Sequence, residues 1–152
     1  MTRAARNRGR RQRGAVLVEF ALIAPLLFLL VFGVIEFGWA YTQYLDVRHG
    51  ARETARLVAV NYHVGSATGS TQSNQIIAEA CDRMDTASGA TVTIQIPSGS
   101  TTGNRARVLV SAPLDTITGF FDPVLNTKTL QSEVFIRLED DATWTSASGT
   151  CT

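Results

Sequence analysis

The hydrophobic pattern of this chain begins with one long apolar block. Residues 15–41 are almost wholly apolar, and only Glu19 and Glu36 interrupt them with charge. An apolar helix of about 20 residues spans a hydrocarbon core of ~30 Å, so the block predicts a transmembrane helix. Residues 41–62 contain no proline and repeat apolar side chains at steps of three and four. This spacing predicts that the same helix continues for about 20 residues beyond the membrane.

A second helix is predicted after a polar connection. Residues 63–74, "HVGSATGSTQSN", are rich in Gly, Ser and Thr and indicate a loop. Residues 74–86 then repeat apolar side chains with helical spacing, and Ser73 or Asn74 is the expected N-cap. The apolar face of this helix is predicted to consist of Ile76, Ile77, Ala80, Cys81 and Met84.

After the second helix, the spacing of apolar residues changes from about 3.6, which is typical of a helix, to two, which is typical of a strand. The stretches "ATVTIQIP", "RARVLVSA" and "LQSEVFIRLED" alternate apolar and polar residues and predict three strands, the first two forming a hairpin. Residues 113–125 indicate an apolar connection with a short helical turn, and the tail after Asp140 is polar. A three-stranded sheet with one apolar face needs a helical cover. The predicted fold is therefore α+β, with two helices packed on a three-stranded antiparallel sheet.

Charge divides the chain unequally. Six arginines and no acidic residue precede Gly14, whereas eight basic and thirteen acidic residues follow it, a net charge of −5. Arginines on the amino side of an apolar helix hold that end in the cytoplasm. We therefore expect a disordered basic leader at residues 1–14, a transmembrane helix at residues 15–41 and an extracytoplasmic domain at residues 42–152. This places the protein in the cytoplasmic membrane.

Two other export signals have partial support. A cleavable secretory signal would also begin with basic residues, and Gly38-Trp39-Ala40 offers a small-x-small cleavage site that would leave Tyr41 first. Its apolar core is normally about 7–15 residues long, which is shorter than the block found here. Arg10 and Arg11 form a twin-arginine pair, but Gln12 and Arg13 replace the apolar residues expected after such a pair. A retained transmembrane helix explains the pattern better than either signal.

Candidate chemistry is sparse outside the apolar block. Cys81 and Cys151 both lie on the predicted extracytoplasmic side, where a disulfide can persist, and two free thiols are the alternative. The chain has no CxxC and no Cys/His cluster at metal spacing. It also lacks a nucleophile motif, a phosphate-binding loop and a paired-carboxylate site. We expect no enzymatic activity, no cofactor, no metal and no small-molecule substrate. We also expect no nucleic-acid partner, because the orientation of the helix in the membrane already accounts for the arginines.

The carboxylate of Glu19 is the unusual feature of the apolar block. A charged side chain near the bilayer centre costs roughly 2.5–3.5 kcal/mol, so intramembrane carboxylates tend to be functional or paired. Pairing with Arg13 is the simplest account. Cleavage between Gly14 and Ala15 gives another, because it would free an α-amine with an ordinary pKa of about 7.7–8.0. That amine and Glu19 would stand at i and i+4 on one helix face.

The stretch "RGAVLVEFALIAPLLFLLVFGVIEFG" resembles the amino-terminal signature of TadE-like proteins, minor pseudopilins of tight-adherence (Tad/Flp) pilus systems. A basic leader, a glycine, four apolar residues, Glu and Phe also resemble the type IV prepilin processing motif. The resemblance implies that a prepilin peptidase cuts after Gly14 and leaves Ala15 as the new amino terminus. It implies a processing or assembly role for Glu19, with Phe20 in the aromatic position after it. The extracytoplasmic domain favours a TadE- or TadF-like component over the much shorter major pilins.

The resemblance implies that the protein supports Tad pilus assembly and adhesion. Its expected partners are the membrane, the prepilin peptidase, other Tad pilus subunits and the inner-membrane platform. Two alternatives stay open. One is a pseudopilin of another type IV filament system, such as type II secretion or DNA uptake. The other is an uncleaved single-pass protein that anchors a binding domain, in which Glu19 has no role.

Overall fold

The computed structural model describes the backbone of residues 8–151 and the side chains of residues 14–151. The chain forms two compact units, Met1–Gly38 and Trp39–Thr152. Helix α1 spans Arg8–Ala59 and includes Pro25. It is followed by helix α2 (Gly69–Cys81), strands β1 (Thr91–Gln95) and β2 (Arg105–Pro113), the short helix α3 (Asp122–Leu125), and strands β3 (Thr129–Arg137) and β4 (Ala147–Thr150). The predicted α+β class with a long amino-terminal helix is confirmed.

The first helix begins earlier than the apolar pattern indicates. The prediction of a disordered leader is wrong for residues 8–14, whose backbone is helical, while residues 1–7 lie outside the described part. At its other end, Asn61 has a positive φ of 52°. The amides of Asn61 and Tyr62 donate to the carbonyls of Val58 and Leu57, at 3.3 and 3.0 Å. This pattern is a Schellman motif, with asparagine in the left-handed position usually held by glycine.

Helix α2 is displaced from its predicted position. It begins at Gly69 rather than Asn74 and ends at Cys81 rather than Thr86. Ser73 is not the N-cap: it is buried inside the helix, and its hydroxyl donates to the carbonyl of Thr145 at 2.6 Å. Gln72 is also buried, and its amide donates to the side chain of Asn61 at 2.9 Å. These tertiary contacts outweigh the weak helix propensity of a Ser/Thr-rich segment.

The sheet has four antiparallel strands in the order β3-β2-β1-β4, so the prediction of three strands is wrong. The additional strand, β4, lies in the polar tail. It pairs with β1 over four register positions, from Thr91 opposite Thr150 to Ile94 opposite Ala147. The hydroxyls of Thr93 and Ser148 approach to 2.8 Å across this pair. Cross-strand hydroxyl contacts of this kind stabilise a strand that carries little apolar surface of its own.

The core of the Trp39–Thr152 unit lies between one face of the sheet and the two helices. The alternation of β2 buries Ala106, Val108 and Val110, as the sequence predicts. Gly50 permits close packing in α1, because an added Cβ would lie 2.3 Å from the sulfur of Met84. The helical side of this core contains Val47, Ala51, Ala55, Val58, Ile76, Ile77 and Ala80.

Candidate processing and assembly site

The residues of the predicted processing site follow one another along helix α1. Residues 14–20 are helical and exposed throughout. Phe20 is 62% exposed, as are its apolar neighbours to a similar degree. Nothing in the described chain covers this segment, so a peptidase or a neighbouring subunit has access to it.

Gly14 packs against no side chain of the described residues 14–151. A Cβ built on it would meet no atom within 4 Å. Glycine in a helix interior is less favourable than alanine by roughly 0.5–1 kcal/mol. Among the described residues, no contact requires a glycine at this position.

The Gly14–Ala15 bond lies inside the helix, not in a flexible leader. Helix α1 begins at Arg8, so more than one turn precedes the bond. The bond of the predicted cut is therefore part of a regular helical turn. The alternative partner of Glu19, the side chain of Arg13, lies outside the described side chains.

Ala15 and Glu19 stand four positions apart in this helix, which places them on one face. In the uncut chain the nitrogen of Ala15 is an amide and carries no charge. The geometry can therefore form an amine–carboxylate pair only after cleavage at Gly14. Residues four positions apart on an α-helix are neighbours, as such a pair requires.

Most of the large apolar side chains in the remainder of the block are also exposed, although Ala24 and Glu36 are buried. Sixteen large apolar side chains between Val16 and Phe37 are 39–82% exposed. Soluble monomers rarely expose a contiguous apolar surface of more than a few hundred Å². By length and composition, one helix within residues 8–151 could cross a membrane, and its mean hydropathy reaches 2.7. The surface of this helix suggests membrane anchoring.

The two cysteines are joined in the structure. Cys81, the last residue of α2, is bonded to Cys151, which directly follows β4. The backbone amide of Cys151 also donates to the carbonyl of Ala90 at 2.7 Å. The bond fastens the edge strand β4 to the second helix.

Charged groups of the Trp39–Thr152 unit form small local networks. Arg83 donates to Glu79 at 2.6 Å and to Glu53 at 2.7 Å, and the Glu79 hydrogen bond followed by the charge of Glu53 raises the pKa of Arg83. Asp141 accepts the amide and hydroxyl of Thr102, and these bonds lower the pKa of Asp141. The first network joins α1 to α2, and the second joins the β1–β2 loop to the segment that follows β3. Among the described residues, no group of three His, Cys, Asp or Glu side chains could hold a metal ion.

Sequence reasoning missed a second group of residues, at the outer end of the apolar block. Trp39, Tyr41 and Tyr44 follow one another on α1, and the rings of the two tyrosines are 6.4 Å apart. Gln43, between them, is buried and bonded to Asp115. Clustered Trp and Tyr at the end of an apolar run would have been a usable signal, because these residues favour membrane interfaces.

A family model described as TadE-like protein matches residues 14–56, which is less than a third of the chain. The match begins at Gly14 and includes Ala15, Glu19 and Phe20, and it confirms the resemblance inferred from the sequence. It indicates a pilin-like protein associated with Tad pili. Curated proteins gave no match. Solved structures gave none either.

Proposed function

We propose that this protein is a minor pilin-like subunit of a Tad pilus, made as a precursor and cut by a prepilin peptidase between Gly14 and Ala15. Residues 1–14 are then the leader, residues 15–41 the transmembrane helix and residues 42–152 the extracytoplasmic domain. The amino end lies in the cytoplasm. The protein has no chemistry of its own and acts by association in the cytoplasmic membrane and the pilus.

One observation carries this proposal. Gly14 is a helical glycine with open space around it, at the head of an exposed apolar helix that has a carboxylate five residues later. No contact among the described residues needs the glycine, whereas a peptidase cleft that excludes side chains would need it. The same residues open the segment that matches the TadE-like family.

The proposed role of Glu19 follows from the charge that cleavage creates. Removal of the leader takes away all six of its arginines and leaves the amine of Ala15 as the nearest cation. Glu19 can pair with that amine in its own subunit or with the amine of a neighbour. Either pairing reduces the cost of a carboxylate inside lipid, which is roughly 2.5–3.5 kcal/mol near the bilayer centre. Lateral packing of apolar helices would then bring subunits together with the other pilus components and the inner-membrane platform, and so support adhesion.

The experiment is mass spectrometry of the intact protein, purified from membranes of cells that contain a Tad-type prepilin peptidase. The expected product begins at Ala15. Recovery of the arginine-bearing extension would refute the proposal and leave an uncleaved membrane-anchored domain. A product beginning at Tyr41 would instead indicate a secreted domain.

Gly14→Leu is expected to block cleavage, because its side chain would clash with the peptidase cleft. Gly38→Leu is a matched control, since an added Cβ at Gly38 also meets no atom within 4 Å in the same helix. The control should be cut as efficiently as the wild-type protein. Full cleavage of Gly14→Leu would remove Gly14 from the mechanism.

Glu19→Gln keeps the size of the side chain and removes its charge. We expect normal membrane insertion with a marked loss of cleavage or of pili counted by electron microscopy, and an equal loss in Glu19→Ala. Glu19→Asp should restore part of the function, because it restores the charge. Wild-type cleavage and pilus number in Glu19→Gln would show that the charge is not used.

A further inference from the structure

The outer end of the apolar helix has the residues of a membrane interface. Trp39 is half-buried, and Tyr41 is 60% exposed just before the polar part of α1 begins. One turn further on, the guanidinium carbon of Arg48 lies 5.7 Å from the ring centre of Tyr44. Aromatic rings and arginine prefer the headgroup level of a bilayer. This segment, residues 39–48, therefore indicates the height of the outer membrane surface.

The connection between β2 and β3 is fixed beside that segment. The side-chain amide of Gln43 donates to the carbonyl of Asp115 at 2.6 Å, and its oxygen accepts the amide of Asp115 at 3.0 Å. The carboxylate of Asp115 accepts the hydroxyl of Ser88 at 2.7 Å. The amide of Leu114 donates to the carbonyl of Lys128 at 3.0 Å and closes the neck of the loop. The loop of residues 115–127 therefore begins at the level of Gln43 on α1. This level is about 3 Å along the helix axis from Tyr41, where the apolar block ends.

This loop has an apolar outer surface. Ile117 is 57% exposed, Phe120 58% and Val124 63%, and Phe120 meets Phe121 edge to face. The loop contains no basic residue, and its two carboxylates are engaged within the fold. Asp115 is held at the neck, and Asp122 accepts the hydroxyl of Thr116. Exposed Lys128 stands at the neck, where an ammonium group can reach lipid phosphates.

We propose that residues 116–125 dip into the outer surface of the bilayer that α1 spans, so that the exported unit has a second membrane contact. Phe120, Ile117 and Val124 would enter the boundary between headgroups and acyl chains. Burial of apolar side chains at this boundary drives interfacial binding. The inference rests on the proposed transmembrane position of α1.

Lipid is the occupant that the position of the loop favours. The loop is pinned by Gln43, which lies between the interfacial residues Tyr41 and Tyr44. If residues 39–48 lie at the bilayer surface, a loop held at this height would reach the lipid, which would cover its apolar side chains. Its contact with lipid also requires no ordering, because the neck hydrogen bonds fix it in the folded protein.

The test uses the full chain in vesicles of phosphatidylethanolamine and phosphatidylglycerol, with a nitroxide on one introduced cysteine. The native cysteines are bonded to each other and do not react with the label. Phe120→Cys and Val124→Cys probe the loop, and Val64→Cys is a control of similar exposure, 59%, beyond the far end of α1. Leu26→Cys probes the proposed transmembrane segment. Collision with oxygen and with a water-soluble nickel chelate is measured at each position.

Oxygen concentrates in hydrocarbon and the nickel chelate stays in water, so we expect the oxygen-to-nickel accessibility ratio at positions 120 and 124 to exceed that at position 64 by about fivefold. Ratios at 120 and 124 equal to that at 64, with position 26 in lipid, would overturn the loop contact and leave the proposed function intact. Position 26 in water would overturn both. Spin–spin broadening at position 120 that vanishes on dilution with unlabelled protein would identify a second copy as the occupant and would also overturn the lipid contact.

Discussion

Removal of the disulfide between Cys81 and Cys151 is the sharpest test of how the Trp39–Thr152 unit is held together. The change is Cys81→Ser with Cys151→Ser in the full chain. The bond joins the end of α2 to the residue after β4, across a sequence separation of 70. Strand β4 is paired with β1 at four positions, so the bond supplements a short contact.

The expected magnitude follows from the length of the closed loop. Closure of a 70-residue loop restricts the unfolded chain, and in the chain-entropy model this contributes about 4 kcal/mol to the free energy of unfolding. With a urea dependence of about 2 kcal/mol per molar for a domain of this size, the unfolding midpoint should fall by about 2 M.

Fluorescence of Trp144, measured in detergent micelles with Trp39→Phe as the common background, reports the transition. This side chain is 2% exposed and belongs to the core of the unit. Reductant should shift the midpoint of the wild-type protein by the same amount, and it should have no effect on the double variant. A midpoint shift below about 0.5 M in the double variant would refute the loop-closure reasoning. It would mean that the unfolded chain of this unit is already constrained in another way.

Two further predictions concern the same unit. Gly50→Val should lower the free energy of unfolding by about 1–3 kcal/mol in urea titration, because the new side chain overlaps Met84; Gly38→Val, with open space around its Cβ, should show no such loss. The pKa of Asp141 is lower in the folded state, so its bonds to Thr102 stabilise the loop above the unfolded pKa and are lost as pH falls through the folded pKa, from about pH 4 downward. Below that pH, the protection of the Thr102 amide against hydrogen exchange should fall in the wild-type protein. In Asp141→Asn, the protection of this amide should not change with pH. The same loss of protection in both proteins would contradict this account.

Much of the fold follows from periodicity in the sequence. Burial that alternates along β1 and β2 is readable from Val92, Ile94 and Val108, because strands with one buried face show a period of two. The continuity of α1 is readable because no proline occurs between residues 41 and 62. These elements are long enough for local pattern and tertiary packing to agree.

The errors occur where tertiary contacts oppose local preference. Strand β4 has the sequence ASGT, and what stabilises it is pairing with β1 and the neighbouring disulfide. The early start of α2 depends on the hydrogen bonds of buried Gln72 and Ser73 with residues 11 and 72 positions away. No window of local sequence contains those partners. The candidate processing site was found because its chemistry is contiguous, whereas the loop around Phe120 is linked to α1 by Gln43 and Asp115, 72 residues apart.

The pairing of β4 with β1 has a consequence for the timing of biogenesis. Within this unit, the end of α1 comes first along the chain, whereas strand β4 and Cys151 come last. In an exported chain, translocation delivers these parts in that order. Strand β4 and the disulfide therefore cannot form until residue 151 has emerged. Until then, Ile77 and the edge of β1 that pairs with β4 stay exposed. If the unit is exported as we propose, a holdase or thiol oxidase on the outer side of the membrane would act in that interval.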